Sequence, residues 1–233
     1  MKGSHKSVSL RKATAGLAIA ASFTIAVFFF LSSAITLLEK NIVSANVNHA
    51  RSSIFFRIRP MTERSAGDPI SRLYLDPDTR DRVVRFFSIL TQSETVATAI
   101  LENSIEYNIR PSLAFALAYA ESRYNPRARS TNGSGSMNRG LFQLNTAVFN
   151  DISVRELHDP FKNALLGLRH LREHLDQTGD EFSALAAYNA GLTRVARDGT
   201  PGMTFDYIAQ ITSVEKRILD FFLADIAASA ALR

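Results

Sequence analysis

The stretch LAYAESRYNP, residues 117–126, is an apolar run that is broken by one glutamate, Glu121. We predict that it closes a helix, because Pro111 suits a first helical turn and Asn125-Pro126 suits a stop. Upstream apolar residues follow the spacing i, i+3, i+4, i+7 of one helix face, and Glu121 is the next position of that series. The face comprises Leu113, Ala116, Leu117 and Ala120. No charge occurs from Leu113 to Ala120, so we expect a helix that is buried nearly all round.

The chemistry of Glu121 depends on what surrounds it at the border of that face. Burial favours the neutral form of a carboxyl group, so its pKa rises. A glutamic acid that keeps its proton near neutral pH can serve as a general acid. The alternative is a glutamate that bends out to solvent or pairs with Arg123 or Arg127, as ionisable residues beside apolar faces usually do. The helix alone leaves both interpretations open.

Composition and charge exclude several classes of protein. The chain has 233 residues and 46% hydrophobic content, enough for one sizeable core and an extension. It has no cysteine, which excludes disulfides and thiolate metal sites. Five basic residues and Glu39 fall within residues 1–40, which leaves 22 basic and 21 acidic residues in the rest of the chain. Because basic and acidic residues are nearly equal in number after residue 40, the sequence argues against binding to nucleic acid, which requires a basic face.

The N-terminal charge flanks a predicted membrane segment. Residues 13–38 carry no charge and are long enough to cross a bilayer as a helix. Four basic residues precede them, which predicts that residues 1–12 are cytoplasmic and that the body lies outside, in the periplasm. A cleaved signal peptide, with a site at 43–45 and a secreted product, is the alternative. The apolar region of a signal peptide is normally shorter than residues 13–38, so the length of this segment favours a single-pass anchor in the cytoplasmic membrane.

The rest of the chain divides into a connector and one domain. Residues 39–78 are polar and rich in turn formers, so we interpret them as a connector. Residues 79–233 form the predicted domain. Its first segments, 76–91 and 93–107, carry apolar residues at helical spacing, and strands with strict alternation are scarce. We predict a mainly α fold.

Two later segments have the polar groups of a sugar-binding site. NGSGSMNRGLFQLN, residues 132–145, predicts a turn or small hairpin that leads to the amides Gln143 and Asn145. ALAAYNAG, residues 184–191, is a helix of small residues with a glycine C-cap, and it carries Tyr188 and Asn189. Taken singly, the first segment is interpreted at least as well as a surface turn that leads into core residues, and the second is interpreted better as a tightly packed core helix.

The ordered set AESRYNP, RGLFQLN and ALAAYNAG resembles the soluble-lytic-transglycosylase (SLT) family of peptidoglycan-cleaving enzymes. The resemblance extends from about Val96 to Ile211 and implies a lysozyme-like α+β fold. The turn before GLFQLN further resembles small transglycosylases associated with secretion systems. The family implies peptidoglycan glycan strands as partner, no metal or organic cofactor, and envelope or secretion machinery as a further partner.

The resemblance also implies roles for individual residues. Glu121 would be the sole catalytic carboxylate: it would protonate the glycosidic oxygen and then deprotonate the C6 hydroxyl of the muramoyl residue, which gives a 1,6-anhydro product. Asn138 falls where animal lysozymes have a second carboxylate. Ser122 would orient Glu121, and Tyr188 would lie beside the scissile sugar. The residues implied in substrate binding are Ser122, Gln143, Asn145, Tyr188, Asn189 and, with Thr204 before it, Tyr207.

Three alternatives stay open at this point. A hydrolytic muramidase could use the same fold, and a non-catalytic peptidoglycan-binding scaffold would share every feature except a titrating Glu121. The third is a zinc peptidase, because His170, Glu173 and His174 fit H-x-x-E-H. A leucine stripe at 165, 168, 171 and 175 predicts that these three side chains face away from the core, and the sequence offers no clear third ligand.

Overall fold

A computed structural model of the chain describes residues 67–132 and 135–230, with side chains described up to residue 227. These residues fall within one unit, Ile58–Arg233. The predicted cytoplasmic tail and membrane segment, and most of the predicted connector, lie outside the described residues. Among the helices that the structure does describe, none combines the length and the apolar character needed to span a bilayer.

The described residues form nine helices and three short strands, which confirms the mainly α prediction. The helices are α1 Pro69–Leu75, α2 Pro77–Thr91, α3 Glu94–Glu106, α4 Pro111–Ser122, α5 Val154–Leu157, α6 Pro160–Thr178, α7 Glu181–Ala190, α8 Leu192–Asp198 and α9 Gly202–Ala230. The strands are β1 Arg129–Thr131, β2 Met137–Arg139 and β3 Leu144–Asn145. Helix α1 lies within the stretch assigned to the connector, yet its Ile70 and Tyr74 are buried in the core.

Local chemistry explains where most of these helices begin. Proline occupies the first turn of α1, α2, α4 and α6, where its fixed φ angle fits and its missing N–H is not needed. An N-cap side chain accepts a backbone N–H at the start of α1, α2, α3, α5, α6 and α7; the caps are Asp68, Asp76, Ser93, Ser153, Asp159 and Asp180.

Helix α4 is the central element, as its uncharged sequence predicts. Every residue from Pro111 to Ala118 is buried. Its Phe115 stacks on Phe87 of α2 with ring centroids 4.0 Å apart, and Phe222 of α9 lies beside Phe87. Since burying an aromatic side chain stabilises a fold by roughly 1.5–3 kcal/mol, this cluster is a main determinant of how α9 packs on α4.

The three strands form an antiparallel sheet in the order β1-β2-β3. The predicted hairpin is therefore present, with β1 and β2 as its arms. The register places Ser130 opposite Asn138, and Asn138 opposite Asn145. Side chains alternate between the two faces of a sheet, so these three residues share one face, which we call the amide face.

Candidate active site

Glu121 occupies the last turn of α4, where the backbone stops the helix. Arg123 and Tyr124 have φ angles of 53° and 65°, in the left-handed region, so the chain turns away directly after Ser122. Tyr124 is buried against Phe115 and holds that turn to the core. The helix thus ends earlier than the Asn125-Pro126 stop that the sequence predicts, and Glu121 remains half-buried at its tip.

Burial raises the pKa of Glu121 to about 7, and a hydrogen bond from Tyr207 acts in the opposite direction. That bond runs from the Tyr207 hydroxyl to Glu121 Oε1. Tyr207 lies in α9, which packs along α4 and brings a residue 86 positions away to the carboxyl group. The carboxyl group is therefore held in place and can carry a proton near neutral pH.

The alternative in which Glu121 pairs with a neighbouring arginine is wrong for Arg123. The guanidinium of Arg123 lies over the Tyr119 ring, 4.7 Å from its centroid, and donates to the Tyr119 hydroxyl. Within the described part of the chain, no ion pair involves Glu121. No described cation stabilises the charged form of Glu121. The Tyr207 hydroxyl does so through its hydrogen bond, but burial has the larger effect on the pKa.

Tyr188 lies next to Glu121, at the end of α7. Burial raises the pKa of Tyr188 well above its usual value, and the negative charge of Glu121 raises it further. The Tyr188 hydroxyl donates to the backbone oxygen of Phe142 at 2.9 Å, so it also fixes the turn that precedes Gln143. Two tyrosines, Tyr188 and Tyr207, thus adjoin the carboxyl group.

Close packing fixes the turn from Gly140 to Gln143. Gly140 has a φ angle of 80°, and a Cβ there would lie 2.2 Å from Asn163 Nδ2 and from the Leu157 oxygen, so only glycine fits. Asn163 is fully buried; it accepts from Phe142 N at 2.8 Å and donates to the oxygens of Arg139 and Leu157. One amide in α6 therefore ties the hairpin to the helical body.

Gln143 itself has a φ angle of 46°, which is uncommon for a residue with a side chain and often occurs at functional sites. Its side chain accepts from Ser130 Oγ at 2.8 Å and donates to the Gly140 oxygen at 2.9 Å. Asn138 Nδ2 approaches the same Ser130 hydroxyl at 3.4 Å. The amide face is therefore a neutral row of donors and acceptors with no carboxylate in it.

The other predicted binding residues have these contacts. Asn145, on the amide face, donates to Ser136 Oγ at 2.9 Å. Asn189 is exposed, and its Oδ1 accepts from buried Thr204 at 3.0 Å. Ser122 donates back to the Ala118 oxygen of its own helix at 3.1 Å, so its hydroxyl does not bond Glu121 here.

The histidines of the H-x-x-E-H segment lie on α6, and the prediction that all three side chains face away from the core is wrong. His174 is buried, and Leu165 of the predicted stripe is only partly buried. Helix α6 packs against both α3 and α7, so its buried face is wider than one stripe. Exposed Glu173 lies 3.6 Å from His170 Nδ1.

The two histidines contact each other, with 3.1 Å between their Nε2 atoms. Burial and, to a lesser extent, the neighbouring His170 lower the pKa of His174 to about 4. Among the described residues, no group of three or more His, Cys, Asp or Glu is placed to hold a metal ion.

Sequence reasoning missed two residues of this site, Ser130 and Asn163. Ser130 joins Gln143 to Asn138 across the sheet, and Asn163 holds the Gly140 turn. Ser130 joins partners 8 and 13 positions away, and Asn163 holds Phe142 from 21 positions away, so no local spacing marks them. The sequence signal that could have found Asn163 is its place among the apolar residues at the start of α6, because a buried polar side chain needs a hydrogen-bond partner.

Comparison with known proteins agrees with the resemblance. Residues 98–210 match the Transglycosylase SLT domain family. A transglycosylase of Enterobacteria phage PRD1 is 40% identical over 98 residues, which are 42% of this chain and 34% of the phage protein. Membrane-bound lytic murein transglycosylase F 2 of Alkalilimnicola ehrlichii is 33% identical over 93 residues, 37% of this chain and 20% of that protein. The chain thus spans about a third of the first relative and a fifth of the second.

Among solved structures, the chain is similar to an inactive mutant of lytic transglycosylase Slt from Pseudomonas aeruginosa. The two share 23% sequence identity with a TM-score of 0.46, over 66% of this chain and 30% of that one. The family match and the sequence relatives thus make this chain similar to the Transglycosylase SLT domain family, with residues 98–210 as the matched part.

Proposed function

We propose that the domain is a lytic transglycosylase that cleaves the β-1,4 bond between N-acetylmuramic acid and N-acetylglucosamine in peptidoglycan. The observation that carries the proposal is the state of Glu121: half-buried, hydrogen-bonded by Tyr207, unpaired with any described cation, and with a pKa of about 7. The family supports the substrate class, since relatives of this domain are named lytic murein transglycosylases.

In the first step Glu121 acts as the general acid. Its proton goes to the glycosidic oxygen, and the bond between that oxygen and C1 of the muramoyl residue breaks. The electron pair leaves with N-acetylglucosamine, and positive charge develops at C1 and the ring oxygen. Glu121 is now a carboxylate, whose charge Tyr207 stabilises through its hydrogen bond.

In the second step the same carboxylate is the base. It removes the proton of the C6 hydroxyl of the muramoyl residue, and O6 attacks C1 to close a 1,6-anhydro ring. Atoms balance without water, and Glu121 regains its proton. The two-carboxylate schemes of most glycosidases need a second carboxylate, as base or nucleophile, within about 5–10 Å of the first. Asn138, on the amide face, is neutral, which supports the internal route.

Neutral hydrogen-bonding groups are suited to hold the glycan. The acetamido and hydroxyl groups of the strand present uncharged donors and acceptors, which match the amides of Gln143, Asn145 and Asn189. Tyr188 lies beside Glu121 and would contact the scissile sugar. Ser122 would orient Glu121 only after giving up its bond to Ala118.

The test is product analysis on purified sacculi. We expect the full chain to release muropeptides that end in 1,6-anhydro-N-acetylmuramic acid, identified by mass spectrometry, and Glu121→Gln to release none while staying folded. Reducing ends would establish a hydrolytic muramidase instead. Intact sacculi with the wild-type protein would contradict an enzymatic role, and full function of Glu121→Gln in cells would favour a non-catalytic scaffold.

The proposal places this activity in the cell envelope. Residues 13–38 are the predicted anchor, which would hold the domain on the periplasmic side, and two relatives carry "membrane-bound" in their names. Envelope or secretion machinery is the proposed partner. Protease digestion of intact spheroplasts tests the location: the domain should be digested and residues 1–12 protected.

A further inference from the structure

The face of the sheet opposite the amide face is strongly basic. Arg129 of β1 and Arg139 of β2 lie directly opposite each other in the register. Arg127 precedes β1, and His158 follows α5. The charges of all three arginines act on His158, so the four residues lie close together, and we call them the arginine cluster. Like charges that face each other across two strands destabilise a sheet, so folding alone does not explain this arrangement.

No carboxylate of the described residues neutralises the arginine cluster. Within residues 67–132 and 135–230, none of its side chains takes part in an ion pair or a hydrogen bond. The two acidic residues that flank His158 most closely cap helices instead: Glu156 bonds Ser153 in α5, and Asp159 accepts from Lys162 N in α6. The cluster therefore carries an excess of three positive charges on one small face.

Two polar atoms of the cluster are buried and unsatisfied. Arg139 Nε and His158 Nε2 have no hydrogen-bond partner, although water does not reach them. A buried polar atom without a partner costs about 1–3 kcal/mol, more when it is charged. Burial and then the three arginines lower the pKa of His158, so its ring is neutral at neutral pH and adds no further charge. An anion with acceptor oxygens would meet the cluster at its exposed members, Arg127 and Arg129.

We propose that the arginine cluster binds a carboxylate of the peptide stem carried by the same glycan strand that the amide face holds. This inference rests on the proposed function and extends it, since it makes the stem peptide part of what the domain recognises. Arginine fits this ligand because its planar guanidinium donates two parallel hydrogen bonds to one carboxylate.

The position of β1 supports this occupant. β1 is the edge strand of the sheet, and Arg129 is the direct neighbour of Ser130, whose side chain lies on the amide face. A peptide that branches from a sugar on the amide face has to cross only this one strand to reach Arg127 and Arg129. Both arginines are exposed, so their side chains are available to a ligand arriving over the edge.

The experiment measures binding in a Glu121→Gln background, so that strands are not consumed. The full chain is titrated with three soluble strands of one length: strands with free stem carboxylates, strands with stem carboxylates amidated, and strands stripped of stems. Arg127→Gln/Arg129→Gln removes the two exposed members of the arginine cluster. Arg217→Gln is the matched control, since Arg217 is an exposed arginine on α9 without an ion pair among the described residues.

The double variant should bind carboxylate-bearing strands about tenfold more weakly, and amidated or stripped strands as before. The Arg217 control should match the parent on all three. Equal losses on all three strands, or no loss on any, would overturn the proposal. A second readout is the melting temperature: removing a repulsive pair should hold or raise it, and a fall would show that the cluster has a structural role.

These outcomes are separate from those of the proposed function. If the wild-type chain fails to release anhydro products from sacculi, the proposed reaction is wrong, whatever the binding result. If it does release them and the double variant binds all strands like the parent, only the stem-binding inference is wrong.

Discussion

Carboxyl groups lie at both ends of helix α4, but their surroundings differ. At the start of α4, Arg110 forms ion pairs with Glu215 of α9 at 3.0 Å and with Glu181 of α7 at 2.9 Å. At the other end, Glu121 accepts a hydrogen bond from Tyr207 of α9, and no cation among the described residues pairs with it. Burial is common to both ends, so the presence of a cation makes the difference.

The difference teaches how the helix pair α4 and α9 can provide both a structural support and the proposed active site. The Glu215 side chain also accepts from Ser112 at 2.9 Å, so the start of α4 is tied to α9 by charge-assisted hydrogen bonds. That connection fixes the register of α9, which in turn brings Tyr207 to Glu121. The end without a cation retains a carboxyl group that can carry a proton near pH 7.

Glu121→Gln should have the largest effect on activity. We expect the rate of product release to fall about 10³-fold, since general acid and base catalysis is lost in both steps. Release of anhydromuropeptides from sacculi measures it. Glu215→Gln is the matched control, a half-buried glutamate at the other end of the same helix pair. Glu215→Gln should lower the stability of the protein, but the folded variant should keep its activity. A loss of activity as large as that of Glu121→Gln would contradict the different roles of the two ends.

Arg110→Met should have the largest effect on stability. It leaves Glu215 and Glu181 without their cation, and breaking a buried ion pair from one side costs about 3 kcal/mol. Chemical denaturation at neutral pH measures the free energy of unfolding. Arg82, whose ion pair with Asp225 is more exposed, gives the control Arg82→Met, with an expected loss of about 0.5 kcal/mol. Equal losses from both variants would show that the Arg110 network does not hold α9.

Stability should depend on pH at the Glu121 end. Folding raises the pKa of Glu121 above its usual value, so the protonated group favours the folded state below about pH 4.5. That contribution is lost as pH rises through about 7. From pH 5 to pH 8 the wild-type chain should therefore lose about 1–2 kcal/mol relative to Glu121→Gln. Melting curves of both proteins across this range measure the difference, and parallel curves would contradict it.

Much of the Glu121 end could be predicted because its determinants are local. Helical phasing placed Glu121 at the border of a buried face, and Pro111 marked the helix start. The family resemblance singled out Tyr207, which the structure brings to Glu121. The Arg110 end could not be predicted in this way, since its partners are 71 and 105 positions away.

The errors have the same origin. His174 was expected to face away from the core because one leucine stripe was taken as the whole buried face of α6, whereas α6 packs on two neighbours. The missed Asn163 and Ser130 act only through contacts that folding creates. Periodicity reports which face of a helix is apolar; it does not report which polar partners arrive from elsewhere in the chain.

The smallest expected effect comes from two changes at Tyr207 that act in opposite directions. The Tyr207 hydroxyl favours the charged form of Glu121, so Tyr207→Phe should raise the pKa of Glu121 further and move the loss of activity to higher pH. Tyr207→Lys puts a cation beside Glu121, as at the Arg110 end, and should move that loss to lower pH.

Rates measured on sacculi from pH 5 to pH 9 give both profiles. At its own optimum, Tyr207→Phe should lose less than about tenfold in rate, the size expected for one hydrogen bond. Tyr207→Lys should lose more of the rate at neutral pH, because the lysine cation keeps Glu121 as a carboxylate, which cannot protonate the glycosidic oxygen. If both variants shift the alkaline limb in the same direction, that limb belongs to a group other than Glu121, and the absence of a cation is not what makes this end of α4 an active site.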